Sequence, residues 1–353
     1  MKYVPALMSL DGELNALSHQ FFSDNVMPLI RIVKDIKKEK GKASIIDDIE
    51  ELIKSKPDND FFITVPRNLN LSHKKLKKPI EAFYKNINSN MNFHRDILIR
   101  FAKYPNVIPV MEVNLDNYKS GDLADLKKAL SNISSRIAYM VEAKKLAAIE
   151  AELFNLIGKK DFLIYNLEAF SFEKASITRE VKKIQSYQVQ KGFKSIVIKQ
   201  IYSELTFPKL PNRDIRINDV AYECIDFDYY DDFKNYFDYF GDMAGIRTNP
   251  IYSGGVSYPA YLTIEMDTFV HHGFRGTEKD PNSYGTELLV KYLKSDHWNS
   301  ILSPKHKTSC NGCLIINNFN DRIENPNNPT KWKTVTISHF IDTMDYKISN
   351  SIV

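Results

Sequence analysis

Seven short runs of continuously apolar, largely β-branched residues recur along the first two-thirds of the chain. They fall at 3–7, 26–32, 61–65, 107–113, 137–141, 162–166 and 195–201, and most end on a polar or charged side chain. Runs this short and this apolar suit strands buried on both faces, and the intervals between them are long enough for a crossover helix. The spacing therefore predicts repeated βα units around a parallel sheet.

The intervals carry helical patterns. An apolar pattern begins at Gly12-Glu13-Leu14-Asn15-Ala16-Leu17, and Ile45, Ile46, Ile49, Leu52 and Ile53 share one helical face. Ile80, Phe83, Tyr84 and Ile87, then Ile97, Leu98, Phe101 and Ala102, precede the fourth run, and Leu123, Leu126 and Leu130 precede the fifth. Residues 143–156 are rich in the strong helix formers Ala, Leu, Lys and Glu, and Val181, Ile184 and Tyr187 mark a further helix. An eighth strand is assigned to Tyr239-Phe240-Gly241-Asp242, after the amphipathic segment 227–237; residues 222–227 are the alternative.

Neither Gly-x-Gly-x-x-Gly nor Gly-x-x-x-x-Gly-Lys-Ser/Thr follows any run, so both common nucleotide fingerprints of the open sheet are missing. Eight repeats favour an α/β fold of the TIM-like (β/α)8 barrel type, typically about 250 residues long. Residues 1–245 are thus expected to form the barrel and 246–353 a β-rich C-terminal extension packed on it and capping its mouth. In that extension, Tyr261-Leu262-Thr263-Ile264-Glu265 alternates at strand period and 269–276 is aromatic and basic. A helix is expected around Tyr284 to Leu293, a glycine turn at Cys310-Asn311-Gly312-Cys313, an Asn/Pro-rich loop over 317–329 and a last strand over 334–340.

With 353 residues, 43% hydrophobic and 26% charged, the chain can bury a sizeable core. A net charge of +4 is too mild to imply a nucleic-acid partner by itself. Lysine does cluster, at Lys34, Lys37, Lys38, Lys40 and Lys42 and at Lys74, Lys75, Lys77 and Lys78, runs that read first as solvated surface. No stretch of about 18 apolar residues is present, so no membrane span is expected, and the start of the chain lacks a leader pattern. Three cysteines do not make a disulfide framework, which points to a reducing cytoplasm.

Several segments together carry a family resemblance. Tyr3-Val4-Pro5-Ala6-Leu7, Gly12-Glu13, Ala16-Leu17 and Met27-Pro28-Leu29-Ile30 resemble the N-terminal signature of the protein beta family. So do Phe240-Gly241-Asp242, Phe274-Arg275-Gly276, Asn328-Pro329-Thr330-Lys331-Trp332 and Ser338-His339, in collinear order over almost the whole chain. The resemblance implies a barrel-like body and an association with phages and antiviral defence, and it carries no agreed activity. The second strand in relatives tends to end in an acid after Pro-Leu-Ile, where this chain has Arg31.

Barrels keep their chemistry at the C-terminal ends of the strands. Those ends carry Asp11 and Glu13, Arg31 and Lys34, Arg67, Glu112, Glu142, Glu168, Lys199 with Gln200, and Asp242. Glu13, Glu112, Glu168, Lys199 and Asp242 are the candidate catalytic residues, because carboxylates facing a lysine can shift one another's pKa toward acid or base work. Arg31, Arg67, His272 and Arg275 are the candidate ligand-binding residues, guanidinium and imidazole being suited to an anion. Adjacent strand residues face opposite ways, so His272 rather than His271 is assigned to the site. The bland alternatives are strand-end ion pairs and, for Glu13, an acid in a helix's first turn.

Cys310-x-x-Cys313, with His306 four residues earlier, hints at zinc, with Cys224 or His339 supplying a fourth ligand from a distance. Asn311-Gly312 favours a hairpin between two thiols, and no metal is expected. The aromatic residues from Tyr229 to Phe240 read as packing rather than as base-stacking platforms. No nucleophile elbow and no cofactor motif is present. The expected partner is a phosphate-bearing or nucleic-acid-related ligand, or alternatively a phage or host protein bound by a non-catalytic scaffold.

Overall fold

The computed structural model describes residues 1–36, 43–66, 78–113, 121–168, 175–199, 220–223, 233–246, 260–275, 280 and 282–352, with only the backbone at 175, 176, 220–223 and 275. The first seven strands are β1 (Lys2–Met8), β2 (Leu29–Arg31), β3 (Phe61–Thr64), β4 (Val107–Val113), β5 (Ala138–Glu142), β6 (Phe162–Glu168) and β7 (Lys194–Lys199). All are parallel to their neighbours, and β9 (Tyr239–Asp242) closes the barrel by pairing with both β7 and β1. The expected closing strand is therefore the one used. The alternative region instead supplies β8 (Val220–Glu223) to a separate sheet.

Helices alternate with these strands: α1 (Asp11–His19), α2 (Ile45–Ser55), α3 (Lys78–Ser89), α4 (Met91–Ala102), α5 (Asp122–Ser131), α6 (Leu146–Leu156) and α7 (Ala175–Lys191). Local sequence explains their placing. Ser44 caps α2 by accepting the Asp47 N–H while Asp47 returns a bond to the Ser44 N–H, and Ile45, Ile46, Ile49, Leu52 and Ile53 form its buried face. Inside the barrel, Phe162 meets Phe62 edge-on at 5.2 Å and Tyr239 at 6.2 Å, which identifies the lumenal face of β3, β6 and β9. Gly241 is glycine because a Cβ there would press into the Val4 carbonyl oxygen of β1.

The chain divides into two compact units. One comprises Met1–Leu10, Val26–Gln200 and Tyr229–Asp242, and contains the barrel strands. The other comprises Asp11–Asn25, Ile201–Asp228 and Met243–Val353, so α1 belongs with the C-terminal residues.

In the second unit β10 (Ala260–Ile264) and β11 (Val270–Arg275) form an antiparallel sheet with β8, in the order β10-β11-β8. Four helices follow: α8 (Tyr284–Leu293), α9 (Pro304–Ser309), α10 (Asn311–Asn320) and α11 (Pro329–Ser349), with a π-helical turn at His297–Ile301. Two local expectations are corrected here. The strand expected over 334–340 lies inside α11, which is capped by Asn328 and begins at Pro329. Its β-branched run reads as a strand, but every residue from Thr334 to Ile341 is buried, and a helix buried all round needs no polar face. The turn expected at Asn311-Gly312 is the first turn of α10, with Cys310 as its N-cap. Gly312 serves packing: a Cβ there would stand 2.7 Å from the Val335 carbonyl and 2.8 Å from the His339 nitrogen of α11.

Candidate functional site

At the C-terminal ends of the barrel strands, register decides which side chains can meet. Leu29 pairs with Phe62 and Phe62 with Ile108, so Arg31, Thr64 and Glu112, each an even number of residues further along, share the lumenal face. They do meet there. The Arg31 guanidinium donates from Nε to Glu112 Oε1 at 3.2 Å and forms an ion pair with it, Nη2 lying 3.2 Å from the same oxygen, to which the Thr64 hydroxyl also donates at 3.3 Å. Glu142 is lumenal by the same rule, since Glu112 pairs with Met140 and Glu142 with Asn166.

Lys144, just past β5, bridges Glu142 Oε2 at 3.2 Å and Glu168 Oε2 at 3.1 Å, and Lys145 reaches Glu142 at 3.4 Å. Burial opposes the charge on Lys144, but the Glu168 and Glu142 carboxylates outweigh it and hold its pKa above the usual lysine value. Glu168 follows a register shift and has a φ of 52°, a left-handed conformation uncommon for a residue with a side chain. Its N–H is tied to Asn166 Oδ1 at 3.1 Å.

Lys199 and Asp242 are placed differently. Ile198 pairs with Gly241 on the lumenal face, so Asp242, the next residue of β9, turns toward the outer, helix-bearing face, whereas Lys199 follows the register shift and pairs with Glu168. Lys199 and Asp242 are both buried, and Asp242 Oδ1 accepts the Tyr3 hydroxyl at 2.5 Å. Arg31, Glu112 and Glu168 thus stand with Lys144 and Lys145 near the strand ends, while Asp242 is buried against Tyr3 and Lys199 is buried opposite Glu168 in the register. Arg67 and Gln200 lie outside the described residues, as do the lysines at 37–42 and 74–77; Lys34 is buried.

Glu13 and His272 belong to the second unit. Glu13, fully buried in the first turn of α1, pairs with Lys333 of α11 at 2.5 Å. His272 Nε2 lies 2.9 Å from Glu265 Oε1 and its ring lies 4.6 Å from that of His297. His271 faces the other way and stacks on Phe340. Arg275 ends β11 opposite Ala260.

The densest set of chemically capable groups is also in the second unit. His306 of α9, Cys310 and Cys313 at the start of α10, and His339 of α11 are all buried, and one ligand atom from each lies within 4.8 Å of every other. His339 Nδ1 lies 3.5 Å from His306 Nε2, 3.5 Å from Cys310 Sγ and 4.0 Å from Cys313 Sγ. The other nitrogen of His339, Nε2, lies 3.1 Å from the Ile264 carbonyl and 2.6 Å from Thr263 Oγ1. A carbonyl can only accept, so Nε2 carries the proton and Nδ1 presents its lone pair to the cluster. Burial holds His339 near a pKa of about 3 and pushes the Cys310 thiol well up.

The residue order offers Cys224 or His339 as the fourth member of this set, and the fold brings in His339. His339 comes from 26 residues beyond Cys313, on a segment read as a strand, and only the α10–α11 packing at Gly312 brings it near. Thr64, Lys144, Lys145 and His297 were missed. A β5 end followed by Lys144-Lys145 at a helix start was the available signal for two of them.

Together these features define a closed parallel (β/α)8 barrel that carries polar groups at its strand ends and a second unit with a cysteine–histidine cluster. A family model described as Beta protein matches residues 3–344, and the chain belongs to that family. No curated protein matches it. Among the described residues no helix is long and apolar enough to cross a membrane.

Proposed function

We propose that this member of the Beta protein family binds a phosphate-bearing or nucleic-acid-related molecule at the C-terminal ends of its barrel strands and acts in contests between phages and their hosts. The observation that carries the reading is Arg31, a guanidinium on the lumenal face, oriented by Glu112 and supported by Thr64. Its planar fork matches a phosphate, and preorganisation by a carboxylate lowers the entropy lost on binding. Lys144 and Lys145 add ammonium groups at the end of β5, where barrels assemble their ligand sites. The phage setting rests on the family resemblance. No reaction is assigned, because the Asp242 carboxylate is engaged by the Tyr3 hydroxyl rather than turned to the Arg31 face.

The test is thermal shift and calorimetry with inorganic phosphate, nucleoside mono- and triphosphates and a short oligonucleotide. One of these should raise the wild-type Tm, and Arg31→Gln should weaken its binding about tenfold or more, since a charge-assisted bidentate contact is lost. Phage plating on cells expressing each variant should track that loss. If no probe binds, or if Arg31→Gln with Lys144→Gln leaves plating unchanged, the ligand reading fails. Survival of the biological effect in that double variant would favour a scaffold that binds a phage or host protein.

A further inference from the structure

We propose that the second unit binds a zinc ion through His306 Nε2, Cys310 Sγ, Cys313 Sγ and His339 Nδ1, and that this ion is a structural staple joining α9, α10 and α11.

Three observations carry the assignment. The first is geometric. Zinc bonded to sulfur at about 2.3 Å and to nitrogen at about 2.0–2.1 Å in a tetrahedron sets ligand-to-ligand edges. These are about 3.3 Å between nitrogens, about 3.6 Å between nitrogen and sulfur and about 3.8 Å between sulfurs. The separations around His339 Nδ1 are 3.5 Å to the other nitrogen and 3.5 and 4.0 Å to the sulfurs, each within a few tenths of an ångström of these edges, and all four ligand atoms lie within 4.8 Å of one another.

The second is the support around the cluster. Metal-ligating histidines almost always give their second ring nitrogen to a carbonyl or carboxylate, which fixes tautomer and ring orientation. His339 does this with the Ile264 carbonyl, backed by the hydroxyl of Thr263. The Asp342 carboxylate, one turn further along α11, accepts the Asn311 N–H at 2.6 Å and the Gln20 side-chain amide, fixing the residue that follows Cys310.

The third is composition of the set. Two sulfurs and two nitrogens, all buried, make a closed four-ligand site of the kind that zinc occupies structurally, with no position left for substrate or water. Soft thiolates with imidazole select zinc over magnesium or calcium, which prefer oxygen. The cysteines are not joined as a disulfide, so both are available as thiolates. The expectation of no metal rested on a fourth ligand distant in sequence and on a hairpin at Asn311-Gly312; the fold brings His339 to the cysteines and makes that segment a helix start.

The consequence is that folding of the second unit is linked to metal. Each thiol releases its proton on binding, and zinc affinity becomes part of the stability of the helices it joins. Trp298 packs against the cysteine-bearing cluster of Met266, Leu302, Cys310 and Cys313, so its fluorescence should report occupancy.

The experiment uses the full chain, purified without a histidine tag from zinc-supplemented cells, with metal measured by mass spectrometry. About one zinc per chain is expected, as for a closed Cys2His2 site. It should be lost in Cys310→Ser/Cys313→Ser and in His339→Ala but retained in His306→Cys, which preserves four ligands. Replacing zinc by Co(II) in the wild-type protein should give the intense visible bands of four-coordinate cobalt with thiolate charge transfer. That measurement decides the matter even if the serine variants fail to fold. Zinc below about a tenth of an equivalent, cobalt bound with only weak octahedral bands, or full zinc retention in the double serine variant would overturn the proposal.

Discussion

Acid should unfold the second unit well before the carboxylates of the chain are protonated. Six of the eight histidines lie in that unit, His19 on α1 and the others at 271, 272, 297, 306 and 339. Among them His271 is held at a pKa of about 3, mainly by burial and further by the positive charges of Lys347 and His272. His297 is held at about 2, again mainly by burial and then by the neighbouring His339, His272 and His306. In the unfolded chain each titrates near 6.5. A histidine with a depressed folded pKa costs nothing above its unfolded value, where both states are neutral. Below that value the unfolded chain takes up a proton that the folded state refuses, so stability falls as pH falls, until the folded pKa is reached. The slope is about 1.4 kcal/mol per pH unit for each group. Between about pH 6.5 and about pH 5 that is about 2 kcal/mol per histidine and about 4 kcal/mol for the pair. A loss of that size is a large fraction of the roughly 5–15 kcal/mol that holds a domain folded. The assay is urea unfolding followed by tryptophan fluorescence, since the chain's two tryptophans, Trp298 and Trp332, both lie in this unit. His297→Gln should remove about one proton from the pH slope, a difference from which contributions common to both proteins cancel. Equal urea midpoints at about pH 7.5 and about pH 5, or an unchanged slope in His297→Gln, would refute the reasoning.

Two further outcomes follow from the packing. Gly312→Ala should lower the stability of the second unit by about 1–3 kcal/mol, because its methyl group meets backbone of α11 rather than a flexible side chain. The tryptophan unfolding midpoint reads this, and an unshifted midpoint would show that α10 and α11 can separate freely. Tyr3→Phe should destabilise the barrel by about 1–3 kcal/mol by stripping a hydroxyl from the buried Asp242 carboxylate. Thermal unfolding followed by far-ultraviolet circular dichroism reads that loss, and an unchanged Tm would place the Asp242 charge in solvent instead.

How much of this was legible in the residue order depends on which physical rule was in force. A parallel strand inside a barrel is covered on both sides whatever its partners are, so its apolar run is visible locally. That is why the runs at 107–113 and 162–166, and the short Tyr239-Phe240-Gly241-Asp242, could be recognised as barrel strands. Strand ends are equally visible, and with them Arg31, Glu112 and Glu168. What a local pattern does not contain is the parity of the register. Glu112 and Asp242 look alike as acids ending strands, yet pairing turns one into the lumen and the other against Tyr3.

The same limit applies in the second unit. Thr334-Val335-Thr336-Ile337 has strand composition, and only its enclosure on all sides makes a helix the better solution. Asn311-Gly312 has turn composition, and only the neighbouring helix shows that the missing Cβ is a contact surface. Both differences have one cause. Propensity is a property of a few neighbouring residues, whereas burial, register and the meeting of His339 with Cys310 and Cys313 are properties of elements distant in sequence, so the tertiary structure alone could decide them.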